Sequence, residues 1–530
     1  MRRVLAIIVF VLLASAPAAA AAPVFFVEGH GWGHGIGMAQ YGAQGFATRD
    51  GRDHAWILAH YYRGTTLSKS SVSTVRILLA EGRTSVAVGS AAAYTVTDAN
   101  GRTYKLARGR VTLGSPMQVT VNGKTHTLAS PVRFARGTRV LELGGRPYRG
   151  GLVVSLSGGR ISVVNHVGVE GYLYGVVPDE MPPSWAMEAL KAQAVAARTY
   201  ALVSRRTGGN FDLFADTRSQ VYGGVRSEDA RTNAAIDATA GKVVTHGGRL
   251  AWTFFHSTSG GRTAAIQHVW NADPIPYLVS VPDPHDDLSP HHSWGPFRYT
   301  AAQLRSKLGA LAPRGALLDA TVAQNASRRA GSVTARGSRG STRFAGTSFQ
   351  SRLGLRSSWF SISVLSLHGT ARVEIGKAAR LKGIARGFRS ASIEQRVGDG
   401  SWGSATGVER AADGTFTLAA KPRVTTWYRL RTPKGTSPAH RVAVAPLVRF
   451  SELSGRAALG GFVRPKRAGA AVTIQRFSRG AWRTVARART NSAGAFRAPL
   501  RVVPGRYRAL AVVGPAYARG VSPVLTVASR

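Results

Sequence analysis

A chain of 530 residues with 70 Lys and Arg against 26 Asp and Glu carries a formal charge of +44 at pH 7 and contains no cysteine. Without thiols it cannot use disulfides, cysteine nucleophiles, iron–sulfur clusters or thiolate zinc sites, so its stability has to come from packed cores. The charge, carried mainly by Arg and spread along the chain, favours polyanionic partners, although an Arg-, Ala- and Gly-rich composition that merely keeps the chain soluble reads equally well. With no helix-turn-helix, zinc-finger or RNA-binding signature, nucleic acid is not expected as a partner.

Met1-Arg2-Arg3 precedes an apolar run from Val4 to Leu13 and a small-residue stretch from Ala14 to Ala22, the order of a secretory signal peptide. Such a run covers about half of a hydrocarbon core, for which roughly 20 residues are needed. Residues 1–22 are therefore expected to be a leader, with an uncleaved anchor as the alternative. The mature chain is expected to be secreted, without a transmembrane segment, and at roughly 100 to 200 residues per domain it holds three or four domains.

From Gly29 to Gly37 glycine occupies every second position of EGHGWGHGIGMAQYGAQGFA. If extended, that stretch projects His30, Trp32, His34 and Ile36 to one face and leaves a bare face open to close backbone approach. Its two histidines lack the Glu of an H-E-x-x-H site, and no metal is expected there. From Thr74 to about Val167 short runs such as VRILLA, SVAVG, YTVTD, RVTL and QVTV alternate apolar and polar residues and break at Asn100-Gly101 and Asn122-Gly123, which predicts antiparallel hairpins. Gly123-Lys124-Thr125 looks like the end of a phosphate-binding loop, but Gln118 stands where that motif needs Gly.

Beyond Pro182-Pro183 the residues Met187, Leu190, Ala194, Ala197 and Ala201 recur three and four apart, predicting a long helix whose small side chains permit close packing. A second helix is predicted over EDARTNAAIDATAG, ending at Gly241. DPHDDLSPHHSW, from Asp283 to Trp294, gathers three His and three Asp and reads as a solvated loop rather than a metal site. In the C-terminal part Gln395, Arg396, Trp402, Gly414 and Phe416 recur as Gln475, Arg476, Trp482, Gly494 and Phe496, and Tyr428-Arg429 recurs as Tyr507-Arg508 one residue out of step. This internal repeat of about 80 residues predicts two tandem β-sandwiches.

The middle of the chain carries HVGVEGYLYGVVPDEMPPSWAMEALKAQAVAARTYAL (His166 to Leu202), DTRSQVYGG (Asp216 to Gly224), FHSTSGG (Phe255 to Gly261) and PIPYLVSV (Pro274 to Val281). In content and order these blocks resemble the stage II sporulation protein D (SpoIID/LytB) family, over roughly Val24 to Phe360. GHGWGHGIGMAQYGAQG resembles a further block of that family, one expected after the STSGG region, where GLRSSWFSI (Gly354 to Ile362) stands here. A circular permutation accounts for its early position, because domain termini are often close in space. It predicts that Gly29 to Gly45 packs against the site of Glu180 and brings His34 and Gln40 to the cleft.

The resemblance implies a peptidoglycan lytic transglycosylase with Glu180 as catalytic acid, leaving 1,6-anhydro-muramyl products. The residues support that role separately. Val176-Val177-Pro178 and Met181-Pro182-Pro183 make an apolar, rigid surround in which burial raises a carboxyl pKa. A hydrolase would need a second carboxylate, for which Asp179 and Asp216 are the candidates. Candidate substrate-binding residues are Arg198, which otherwise makes a structural ion pair, and Gln220, Tyr222, Ser257 and Ser259, which otherwise serve turns. STSGG is not the G-x-S-x-G elbow of a serine hydrolase. Some relatives use a cysteine-containing zinc site, for which this chain has no ligand, so no metal and no cofactor are expected.

The expected fold is α+β: a leader (1–22), the permuted Gly/His segment (23–66), a β-rich SpoIID-like domain with one long helix (67–365), and sandwich repeats at 366–446 and 447–530. The expected partners are peptidoglycan glycan strands, anionic cell-wall polymers and a wall amidase. Two other readings remain: a non-catalytic, glycan-binding enhancer of a wall amidase, and a wall-adhesion protein in which the basic repeats are the working part.

Overall fold

Between Thr74 and Gly168 the alternating runs form antiparallel strands in two main sheets. Thr74–Arg83, Arg160–Gly168, Gly151–Ser157, Val132–Ala135, Tyr94–Thr97 and Thr103–Leu106 lie side by side in that order, and a four-stranded sheet covers the same core of Val88, Val96, Leu113, Phe134, Leu152 and Val163. Asn122 (φ 48°) and Gly123 (φ 76°) are both left-handed, as the two-residue hairpin turn joining Gln118–Val121 to Lys124–Thr127 requires. The computed structural model describes residues 22–453 and 457–529, so the expected leader, but for residue 22, lies outside the described residues. Among those residues no helix is long and apolar enough to cross a membrane.

The predicted long helix runs Met187–Val203, and its small residues bury it on all sides rather than along one stripe. Ala192, Val195 and Ala196 pack into a core with Ile57, Leu58 and Tyr61. Ala194, Ala197 and Ala201 pack into a second core with Tyr172, Leu173 and Tyr222. A helix apolar all round is an interior helix, and this one is the spine on which the surrounding elements are hung. The second predicted helix, Ala230–Ala238, is capped by the Asp229 side chain on the Arg231 amide and ends just before Gly241, whose φ of 72° turns the chain.

Each C-terminal repeat folds as facing sheets around its own core; the repeated Gly and Phe take repeated places, whereas Gln395 stands opposite Tyr428 and Gln475 opposite Arg508, one step out of register. Gly414 (φ 83°) and Gly494 (φ 78°) turn the same tight corner, which delivers Phe416 and Phe496 to the two cores. The sheet of the first repeat runs through the boundary expected at 365/366: Phe360–Gly369 pairs on one side with Ala379–Arg386 and on the other with Val24–His30. Val24 and Phe26 thereby enter the core of that repeat.

Candidate functional site

The Gly/His segment departs from the extended form considered for it. The strand stops at His30, and Gly31, Gly33, Gly35 and Gly37 all have positive φ, 71° to 110°, so successive side chains do not share a face. Trp32 is half-exposed while Ile36 is fully buried. The glycines permit the segment to zip onto the FHSTSGG block: Trp32 and Thr258 exchange both backbone hydrogen bonds, and the Met38 amide donates to the Phe254 carbonyl at 3.1 Å. A Cβ on Gly37 would lie 2.1 Å from the Phe254 carbonyl oxygen. Strained φ and overpacking together make Gly37→Ala costly by about 3 kcal/mol, to be read as a lower urea midpoint at unchanged m-value.

The helix that follows, Gln40–Arg49, places Gln40 and Gln44 one turn apart on one side. The Gln40 amide donates to the Glu180 carbonyl at 2.9 Å, and the Gln44 side-chain oxygen accepts from the Ala186 amide at 2.8 Å. The two glutamines thus bracket the EMPPSW turn, and Tyr41 packs its ring on Trp185. The segment also lies beside GLRSSWFSI, with the His30 amide donating to Trp359 and the Gly33 amide to Arg356.

Glu180 ends the short helix Val177–Glu180 and lines a cleft of about 320 Å³ with His34, Tyr200, Thr217, Ser219, Gln220, Val221, Phe254, Phe255 and Trp270. Burial pushes its carboxyl pKa up and the neighbouring Asp179 adds to the shift, while hydrogen bonding from Gln40 partly offsets it. Glu180 is the one carboxylate among the described residues lining the cleft. Asp179 is exposed and accepts from the Ser227 hydroxyl at 2.8 Å. Asp216 is paired with Arg218, whose hydrogen bonds hold its carboxyl down at about 2, and it faces a separate pocket.

Much of the cleft lining is aromatic. Phe254 meets Trp270 edge-on at 4.8 Å and stacks on Trp252 at 5.4 Å, and His34 lies 5.1 Å from Trp270. Burial lowers the His34 pKa to about 4, and its Nδ1 accepts the Ile36 amide at 3.0 Å, so it presents a neutral ring. Gln220 reaches the cleft with its side-chain oxygen accepting from the Tyr172 hydroxyl at 3.2 Å.

Four sequence candidates stand elsewhere. Arg198 is fully buried and donates to Glu170 and to the carbonyls of Lys242 and Ile236, which is the structural ion pair rather than a ligand contact. Tyr222 is buried and donates to Asn165 at 3.0 Å. Ser259 is buried and accepts the Gly261 amide within its own turn. Ser257 pairs with the Thr258 hydroxyl, and its carbonyl accepts the Tyr41 amide.

The solvated loop expected at Asp283 to Trp294 is instead a strap with two buried carboxylates. Asp286 accepts the Ser259 and Gly260 amides at 2.7 and 2.8 Å, and His292 lies 3.1 Å away. Asp283 accepts the Tyr61 hydroxyl at 3.0 Å. Burial and the adjacent Asp286 push Asp283 up to about 7 from 3.8. A raised acid binds more protons folded than unfolded, so its stabilising contribution is complete below pH 3.8 and is lost as pH rises to about 7. Thermal melts across that range should show the decline in the wild type and a flatter profile in Asp283→Asn. Among the described residues no group of three or more His, Asp or Glu is arranged to hold a metal ion.

Thr217, Ser219, Tyr200, Phe254 and Trp270 were not singled out by sequence reasoning. The first two share the DTRSQVYGG block with Gln220, and Tyr200 lies in the helix motif, so block membership was their signal. Trp270 ends the four-residue helix Gln267–Trp270 and precedes Asn271, left-handed at φ 51°, and had no signal beyond being an aromatic residue at a turn.

Residues 157–246 match the family model SpoIID, Stage II sporulation protein. The chain is 44% identical over 115 residues to the amidase enhancer of Bacillus subtilis (strain 168), covering 22% of this chain and 15% of that one. It is 33% identical over 163 residues to the Stage II sporulation protein D of the same organism, covering 28% and 47%. It is 33% identical over 218 residues to that of Bacillus amyloliquefaciens, covering 37% and 60%. The similarity to the SpoIID family model is thus confined to residues 157–246, and the chain spans between 15% and 60% of the length of these relatives. The matched stretch holds Glu180, Arg198, Gln220 and Tyr222, whereas His34 and Gln40 lie outside it.

Proposed function

We propose that the protein is a secreted, cell-wall-associated lytic transglycosylase that cleaves the glycan strands of peptidoglycan with Glu180 as its single acid–base group, in a domain whose Gly/His block has moved by circular permutation to the start. The observation that carries this reading is a lone carboxyl with a raised pKa in an aromatic-walled cleft. Protonated Glu180 gives its proton to the glycosidic oxygen as the bond to the anomeric carbon breaks. The resulting carboxylate takes the proton of the same sugar's 6-hydroxyl as that oxygen closes on the anomeric carbon. The acid is regenerated, and the products are a 1,6-anhydro terminus and a new hydroxyl end, with no water consumed. A hydrolase would call for a second carboxylate at the scissile bond. Trp270 and Phe254 suit the apolar faces of sugar rings, and Thr217, Ser219 and Gln220 suit their hydroxyls and amides.

Digesting purified peptidoglycan with the mature protein and weighing the released sugars by mass spectrometry tests it. Anhydro-terminated fragments support the reading; reducing-end fragments replace it with hydrolysis. Similarity to a relative named amidase enhancer favours a second reading, in which the cleft grips glycan for a partner amidase. Glycan binding with no released sugar, together with faster digestion by an added wall amidase, would establish that role instead.

A further inference from the structure

The two C-terminal repeats share local constructions but neutralise their arginines differently. In the first, Arg429 lies over Trp402, 4.0 Å from the ring centroid. Its charge is met across the strand pair by Glu394, which accepts from Arg429 at 2.7 Å and from Arg431 at 3.0 Å. In the second, Arg508 lies over Trp482 at 4.3 Å, but the residue opposite is Gln475, whose side-chain oxygen accepts from Arg508 Nε at 2.9 Å. The same rung holds a carboxylate in one repeat and a neutral amide in the other.

The surroundings accentuate the difference. Cross-strand neighbours share a face, and the register sets Arg508 beside Gln475 and Arg487 beside Thr473, on the side away from buried Ile474, Tyr507 and Ala509. Arg506 stands on that side too, over Phe477 at 4.3 Å. Residues 447–530 contain 16 Lys and Arg, of which 15 are Arg, against one carboxylate, Glu452. Glu452 belongs to Leu447–Leu453, a strand of the other sheet.

We propose that this face of the second repeat binds an anionic phosphodiester polymer of the cell wall. Guanidinium forks match phosphate oxygens two at a time. Phe477 and Trp482 each carry a guanidinium over one ring face, Arg506 and Arg508, so they hold the guanidinium planes in place. Arginines two residues apart on a strand are about 6.6 Å apart along it, a stride suited to a chain with one charge on each short repeat. The first repeat, with Glu394 in place, does not present the same uncompensated face.

The inference rests on the wall-acting reading only for where the polymer is met, so retention is measured in the full chain carrying Glu180→Gln, where cleavage plays no part. Retention is compared on cell walls before and after hydrofluoric-acid extraction, which removes phosphodiester-linked polymers. Tight, salt-sensitive retention on intact walls, at least tenfold weaker on extracted ones, is expected. Adding Gln475→Glu builds into the second repeat the carboxylate that the first already accommodates, and it should weaken retention at least tenfold with the melting profile unchanged. Arg506→Gln with Arg508→Gln should do the same. Unchanged retention after extraction, or in both variants, overturns the proposal, as does tighter retention on immobilised duplex DNA than on intact walls.

Discussion

Glu180→Gln should lower the release of anhydro-terminated sugars on the order of 10³-fold, the scale of a lost general acid–base group, while glycan binding and the fold persist. Gln matches the shape of the protonated acid, and burial already favours the uncharged form at this position. The pH dependence follows from the direction of that shift. The acid form survives above the ordinary carboxylate range, and activity falls as pH rises through the folded pKa. The stability sign agrees: a raised acid stabilises fully below its unfolded pKa and loses that contribution as pH rises through the folded one. Glu180→Gln should therefore melt like the wild type in acid and somewhat higher on the alkaline side, the pattern of a site that trades stability for function. His34, lowered to about 4 by burial, stays neutral over the working range and adds no limb to the profile. Mass spectrometry of the products and melts at acid and alkaline pH together check the prediction. An equal fall in activity and in melting temperature at every pH would make Glu180 a structural residue.

Local signals in the chain were legible where one interaction decides the outcome. Asn122-Gly123 turned where its chemistry requires, and the spacing of Met187, Leu190 and Ala194 set the long helix. The repeat of Gly414 and Phe416 as Gly494 and Phe496 marked two similar units. What periodicity did not reveal was partnership over long distance. The pairing of Val24–His30 with Phe360–Gly369 joins segments more than three hundred residues apart, and nothing local encodes it. The same holds for the strap at Asp283 and Asp286. Its acids look like solvated surface until the Ser259 and Gly260 amides are seen to converge on Asp286. The alternating glycines carried a correct message about close backbone approach, but their positive φ values replaced the extended geometry from which that message was drawn. Site residues were legible as blocks rather than as roles: in SQVYGG, Gln220 lines the cleft and Tyr222 enters the core, because the segment is irregular backbone in which residues two apart need not share a face as they would in a strand.

Arg198→Met should destabilise the protein by about 3 to 5 kcal/mol, the usual cost of stripping one partner from a buried ion pair, and toward the lower figure because the Glu170 side chain keeps 30% exposure. The loss has three parts: Glu170 loses its countercharge and keeps only the Gly241 amide, and the Lys242 and Ile236 carbonyls each lose the Arg198 donor, Ile236 retaining Thr239. These two carbonyls and Glu170 lie on separate elements that the long helix holds together, so the helix with its arginine acts as a bolt. Arg198→Lys should recover little, since one ammonium cannot reproduce a fork to the carboxylate and two carbonyl contacts at once. Pairing Arg198→Met with Glu170→Gln should recover part of the loss, because the orphaned charge is then removed as well. Urea unfolding of the four proteins measures this, and KM for glycan strands, taken where every variant is folded, separates it from a role in binding. An unchanged KM with a large fall in stability identifies Arg198 as the bolt; a raised KM at full stability would return it to the substrate.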